Sequence, residues 1–150
     1  MWIDQRGSEI LPHSECLRLL AISAQSHHFG RLGVSTSTSP IIIPVNFAYH
    51  DAGVVCRIGP GTLADKAKGS LVAFELDRVD DGERSVWSVL LRGLARELSA
   101  DEISALGPQE LPVPIVHHAG ELVMFVRGDV ITGRRFSVGD STAPADVGGA

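Results

Sequence analysis

Apolar and polar residues alternate with a period of two along most of this chain, and helical periods are confined to short stretches. In Arg31 to Thr36, Leu32 and Val34 share one side. The next run, Ile41 to Tyr49, places Ile41, Ile43, Val45, Phe47 and Tyr49 on one face, and Ile42, Pro44, Asn46, Ala48 and His50 on the other. Further strands are expected at Val54 to Ile58, Leu71 to Asp77, Ser85 to Leu98, Glu121 to Arg127 and Val130 to Phe136. The long strand turns Trp87, Val89 and Leu91 one way and Val86, Leu90 and Leu94 the other. Polar clusters mark the turns: Ser35 to Pro40, Asp51-Ala52-Gly53, and Asp80 to Glu83. Gly128-Asp129 reads as a tight hairpin between the last two strands. Gly93 predicts a bend or a close backbone contact. Pro44 has no N–H, so the ladder lacks one bond there, and a bulge or an unpaired edge follows. A ligand can approach the main chain at such a break.

Three helices interrupt the strands. Ser14 is the expected N-cap of the first, with Glu15 in its first turn, Leu17, Leu20, Ala21 and Ala24 on an apolar stripe that Leu19 widens, and its end near Ser26. The second runs from Thr62 to Lys68. The third, Ala100 to Leu106, follows Ser99, and Glu102 completes a capping box. Residues 1–12 form a lead-in closed by Pro12, and Pro108, Pro112 and Pro114 mark an irregular connection. Six or seven strands in hairpin order, with short helices only, predict a mainly β fold: an antiparallel barrel, because parallel strands need long crossovers. Residues 1–137 would form the domain, and the Gly, Ala, Ser, Asp and Pro composition beyond Val138 predicts a disordered tail.

Totals narrow the function classes. The 150 residues fit one domain. A net charge of −5 argues against general nucleic-acid binding, which needs a basic face. Cys16 and Cys56 form neither a CxxC pair nor a zinc spacing and read as small core residues of a reducing compartment. His27-His28 and His117-His118 lack a carboxylate or cysteine at ligand spacing, so no metal is expected. Met1 to Arg6 lacks the apolar core of a signal peptide, and no apolar run reaches the roughly 18 residues of a membrane span. A soluble, cytoplasmic protein is expected.

The loop Gly59-Pro60-Gly61-Thr62-Leu63-Ala64-Asp65-Lys66 supports two readings. It can offer backbone N–H groups, the Thr62 hydroxyl and the Lys66 ammonium to an anion. Alternatively, Thr62-x-x-Asp65 caps its own helix, and Asp65 repels a phosphate.

Six stretches then occur in an order that resembles a known family. They are Gly30-Arg31-Leu32-Gly33-Val34, Pro44-Val45-Asn46-Phe47, Arg57-Ile58-Gly59-Pro60-Gly61-Thr62, Val72-Ala73-Phe74-Glu75-Leu76-Asp77, Trp87 to Ala95, and Ile131-Thr132-Gly133-Arg134-Arg135-Phe136. Over residues 12–137 the chain is similar to the pyridoxamine 5′-phosphate oxidase-like flavin-binding split barrels, in particular the branch of the nitroimidazole-resistance proteins. The resemblance implies a six-stranded split β-barrel with peripheral helices, a homodimer, and FMN at the dimer interface. It implies flavin redox chemistry on a small molecule, such as a nitroaromatic or a quinone. Arg57, Thr62 and Lys66 would hold the phosphate, while Val45, Asn46 and Phe47 meet the flavin ring. Ile58 adjoins the phosphate, and Trp87 lies near the interface and the flavin. The chain departs from the pattern at Ile58, where relatives carry threonine, and at Leu63, where they carry lysine; Lys66 lies about one helical turn further on. Plain structural roles remain open: Phe47 and Trp87 as core, Arg57 as a solvent-facing strand residue. Two other functions also remain open, a flavin-free dimeric binding module and a deazaflavin-dependent reductase. The low count of Lys and Arg disfavours the second, which needs a basic groove for a long anionic tail.

Overall fold

The computed structural model describes residues 1–5, 7–113 and 119–137. The expected disordered tail and the His117-His118 pair lie outside the described residues. Nine strands and three helices follow one another as β1 (Trp2–Ile3), β2 (Glu9–Ile10), α1 (His13–Gln25), β3 (Phe29–Val34), β4 (Ile41–His50), β5 (Gly53–Ile58), α2 (Thr62–Ala67), β6 (Leu71–Asp80), β7 (Ser85–Glu97), α3 (Ala100–Ala105), β8 (Leu122–Val126) and β9 (Val130–Ser137). Six of the strands close an antiparallel barrel in the circuit β3–β4–β5–β8–β7–β6 and back to β3. The mainly β barrel expected from the alternation is therefore the fold.

Two strands are long enough to serve both halves of the barrel. β4 pairs with β3 from Ile41 to Asn46 and with β5 from Phe47 to His50. β7 pairs with β6 along ten positions, from Leu94 opposite Leu71 to Ser85 opposite Asp80. Its other edge takes β9 from Ser85 to Arg92 and β8 from Ala95 to Glu97. The inward residues of these strands make the core, in which Leu32, Phe74, Leu76, Val89, Leu91 and Met124 are fully buried. Phe47 meets Phe74 edge to face, with ring centres 4.9 Å apart.

The join between β8 and β9 corrects one expectation. Gly128-Asp129 does not form a hairpin, because β8 and β9 run the same way along one edge of β7 and do not pair with each other. Arg127 to Asp129 stand opposite Gly93 and Leu94, so the chain carries one residue more than β7 and bulges as it passes between the barrel halves. The Arg127 N–H donates to Leu94 O (3.0 Å) and the Asp129 N–H to Arg127 O (3.0 Å). Gly93 makes the bulge possible: a Cβ there would stand 1.7 Å from Arg127 O. The Gly-Asp turn signal is local, whereas the shared partner strand lies more than thirty residues away.

Helix α1 covers one side of the barrel, against β4, β7 and β9. Its buried residues are Cys16, Leu19, Leu20 and Ser23, so Leu19 and Leu20 of the expected stripe are buried while its centre turns toward Cys16 and Ser23 and away from Leu17 and Ala21. Ser14 is not its cap. The cap position is Pro12, whose carbonyl accepts from the N–H groups of Glu15 (3.0 Å) and Cys16 (3.1 Å), and no side chain caps this end. Residues 1–12 are more than a lead-in, since β1 and β2 form a small hairpin on the edge of β9. Arg134 pairs with Asp4, and Arg135 donates to Glu15 (3.3 Å), tying that hairpin and α1 to the sheet. α3 starts as expected, with the Ser99–Glu102 capping box formed. Among the described residues, no helix is long and apolar enough to cross a membrane.

Candidate functional site

The change of partners along β4 creates the site. Pro44 faces Arg31 on the β3 edge, and on the opposite edge β5 begins only at Phe47. Among the described residues, the main chain of Ile41 to Asn46 therefore has no strand on that second edge. This is the unpaired side that a proline within a strand predicts. Beside it opens a groove of about 560 Å³, lined by Pro44 and Val45 of β4, Arg57 and Ile58 of β5, and Leu63 and Ala119.

Arg57 is the only charged residue among the described residues lining this groove. Its Nε donates to Pro112 O (2.8 Å), and its Nη1 lies 3.8 Å from Glu121 Oε2. On the neighbouring strand β4, Asn46 Nδ2 donates to Val113 O (2.7 Å). Two main-chain carbonyls of one connecting segment thus hold the two polar side chains that the sequence offers at this place. Neither Pro112, Val113 nor Glu121 carries a local signal for this role, because each is more than fifty residues from its partner.

The remaining expected residues divide. Val45 is buried and lines the groove with Arg57 and Ile58. Ile58 is 4% exposed, so its side chain belongs as much to the core as to the groove, and Leu63 packs on the same core. Thr62 and Lys66 are exposed on α2, and the part of that helix that lines the groove is Leu63. The self-capped start of α2 does not form: Gly61, at φ 134°, takes the cap position, and no side chain caps the helix. Thr62 is then the first helical residue, too far along to cap. Asn46 and Phe47 line a second cleft of about 350 Å³, between α1, β4 and the segment 108–113, together with Gln25, His27 and Gln109. Phe47 and Trp87 both sit in the core cluster. Trp87 lies between Arg78 of β6 and Arg135 of β9 and is not among the groove residues.

Several ionisable groups outside the groove are already paired or buried. His50 Nδ1 pairs with Glu110, and its ring packs edge-on against Phe125. Burial raises the thiol of Cys16 and pushes that of Cys56 up to about 12, so neither is a ready nucleophile. On the outer face of the barrel, Arg31 bridges Glu75 (3.1 Å) and Asp77 (3.0 Å). Burial, and next the neighbouring Asp77, push the Glu75 carboxyl up to about 7 against the pull of Arg31. Among the described residues no group of three or more His, Cys, Asp or Glu could hold a metal.

The pyridoxamine 5′-phosphate oxidase family model matches residues 12–126, most of the chain and all of the site. The chain belongs to that family. Within and around the pyridoxamine 5′-phosphate oxidase family, it is 34% identical over 140 residues to the uncharacterized protein Rv0080 of Mycobacterium tuberculosis, covering 89% of this chain and 88% of that one. The FAD binding protein from Mycobacterium smegmatis superposes with a TM-score of 0.73 at 32% identity, covering 87% of this chain and all of the other. A FAD-binding protein from Mesorhizobium loti superposes with a TM-score of 0.65 over 87% of this chain and 99% of its own, and at 22% identity it speaks for the fold alone.

Proposed function

We propose that this chain binds a flavin in the β4 groove and acts, as a homodimer, as a flavin-dependent oxidoreductase on a small molecule. The observation that carries the reading is the unpaired edge of β4 facing a groove with a held arginine, in a chain of this family. Likeness to the mycobacterial FAD binding protein supports a flavin. FMN is the form that the ordered motifs imply, and the ring end of the groove is common to FMN and FAD.

The residues fit a flavin at that ring end. Unpaired N–H and C=O groups along β4 suit the polar edge of an isoalloxazine, which needs donors and acceptors side by side. Val45, Ile58 and Leu63 give the groove apolar walls. Arg57, oriented by Pro112 O, offers its remaining N–H donors to an oxygen of the ligand, whereas Thr62 and Lys66 are exposed on α2 outside the groove wall. When bound, the flavin supplies hydride and electron transfer. With no carboxyl or imidazole among the described residues lining the groove, the proton for a reduced substrate comes from solvent.

The partner copy would sit on the outer sheet face. An apolar groove of about 670 Å³ runs there past Gly33, Ile42, Leu71, Ala73 and Val130, and Ile42 and Leu71 are 71% and 74% exposed. Contiguous apolar surface of this kind marks an interface. Light scattering on the eluting protein should give the dimer mass.

Titration of the purified chain with riboflavin, FMN and FAD tests the flavin. Binding is expected with a flavin absorption band that co-elutes, and Arg57→Ala should weaken the phosphate-bearing flavins by about tenfold or more, as loss of a charge-assisted hydrogen bond does. Ile58 and Leu63 favour a second reading, a flavin-free binding module of the same fold. A colourless protein that takes up none of the three at tens of micromolar would establish that alternative.

A further inference from the structure

Among the described residues, one arginine and one glutamate are the charged groups at the β5 wall of the groove. Arg57 reaches it, but Glu121 stands 3.8 Å from the Arg57 Nη1, and the two side chains are only 22% and 14% exposed. The Nε of Arg57 is already engaged by Pro112 O (2.8 Å). Among the described residues, the other side chains that line the groove, such as Val45, Ile58, Pro60, Leu63 and Ala119, bring neither a hydroxyl nor a second cation. Lys66, three residues past Leu63, is solvent-exposed rather than part of the wall. Water screens a half-buried pair of this kind poorly, so Glu121 cancels much of the attraction that Arg57 alone would exert on an anion.

Flavins differ in the charge they would bring to this place. FMN ends in a phosphate monoester, which carries close to two negative charges at pH 7 because its second pKa is about 6. The phosphates of FAD are diesters, each with a single negative charge. Repulsion by a fixed carboxylate grows with the charge on the nearest phosphorus, and a neutralised arginine cannot offset a dianion. We propose that the Arg57–Glu121 pair is a selectivity element that disfavours the phosphate monoester of FMN and leaves the groove to a flavin whose phosphate is a diester, as in FAD. The proposal rests on the flavin reading above and adds the charge class of the tail. Glu121 acts here through Arg57, as a positioning and charge-setting residue.

Equilibrium titration of the full chain and of Glu121→Gln with riboflavin, FMN and FAD, at one ionic strength and pH 7.5, reads the pair directly. Glutamine keeps the size of the side chain and removes its charge. In the wild type, FAD should bind at least about fivefold more tightly than FMN. Glu121→Gln should tighten FMN by about tenfold while riboflavin, which has no phosphate, moves by less than about twofold. FMN binding as tightly as FAD in the wild type overturns the selectivity and leaves flavin binding intact, and that comparison requires no variant. Riboflavin gaining as much as FMN in Glu121→Gln also overturns it, because Glu121 would then shape the ring site rather than set charge. Failure of all three ligands to bind removes the flavin reading itself.

Discussion

Replacing Gly93 by alanine tests the corner at which the chain passes from β8 to β9. The added Cβ would lie 1.7 Å from Arg127 O and 2.8 Å from Arg127 C, both main-chain atoms of a segment held in the bulge. No rotamer change relieves such a contact, so one strand must move by more than an ångström. That movement breaks the Arg127 N–H to Leu94 O bond (3.0 Å) and the weaker Leu94 N–H to Asp129 Oδ2 bond (3.4 Å). Each lost bond costs about 1 kcal/mol net, and forcing extra volume into a packed site adds about 1–3 kcal/mol. The expected destabilisation is roughly 3–5 kcal/mol, or a fall in Tm of roughly 10–20 °C for a chain of this size. Gly33→Ala is the matched control, since its Cβ would meet nothing closer than 3.7 Å. It should change stability by less than about 1 kcal/mol in either direction. Thermal and urea melts followed by circular dichroism, at one protein concentration, give the comparison. A Gly93→Ala protein no less stable than Gly33→Ala would refute the close approach and the bulge built on it.

Two further substitutions probe charge and capping. The Glu75 carboxyl is raised to about 7 in the folded protein from an ordinary value of 4.5, so the native state binds the extra proton and loses stability as pH rises between those values. With the side chain 32% exposed, screening reduces the effect to roughly 1–2 kcal/mol. Glu75→Gln should flatten the profile from pH 5 to 8 and stabilise the protein at pH 8; an unchanged slope would assign the pH dependence to another group. Ser99→Ala removes the bond from the Glu102 N–H (3.2 Å) and undoes the capping box, at a cost of about 1 kcal/mol. Because α3 buries none of its residues, the loss should show as roughly fivefold faster amide exchange within the helix, with little change in the global melt. Uniform acceleration across the whole barrel would mean that α3 is coupled to the core.

What the sequence makes legible here is what local chemistry decides. The Ser99–Glu102 box needs only neighbours three residues apart, and the free edge at Pro44 follows from a missing N–H. The β alternation exposes the barrel because Val72, Phe74 and Leu76 of β6 and Trp87, Val89 and Leu91 of β7 all enter the same core. Partner choice is not local. Gly128-Asp129 has the chemistry of a turn, yet β7 draws both flanking strands to one edge and leaves them unpaired with each other. The two-residue strands β1 and β2 are too short to show a period and exist because β9 offers them an edge. At the site, Val45, Arg57 and Ile58 come together as their places on adjoining strands require, whereas Glu121 and the carbonyls of Pro112 and Val113 arrive from a segment with no distinguishing pattern. Trp87, one of two tryptophans, is conspicuous in sequence and is buried at 8% exposure.

The length of β7 also fixes when the protein can become whole during synthesis. Its partners span 71–80, 122–126 and 130–137, and β8 is in addition the outer neighbour of β5. A nascent chain that has released only the first 121 residues can lay β3 to β7 side by side, yet it must keep one edge of β5 and one edge of β7 bare. Both edges carry apolar residues, among them Val54, Val55, Val89 and Leu91. Open apolar edges pair with other chains, so premature termination or a ribosomal pause before β8 should yield aggregates rather than a smaller folded barrel. A strand shared by both halves thus makes the barrel an all-or-nothing object, whose last two strands are as necessary to solubility as its first.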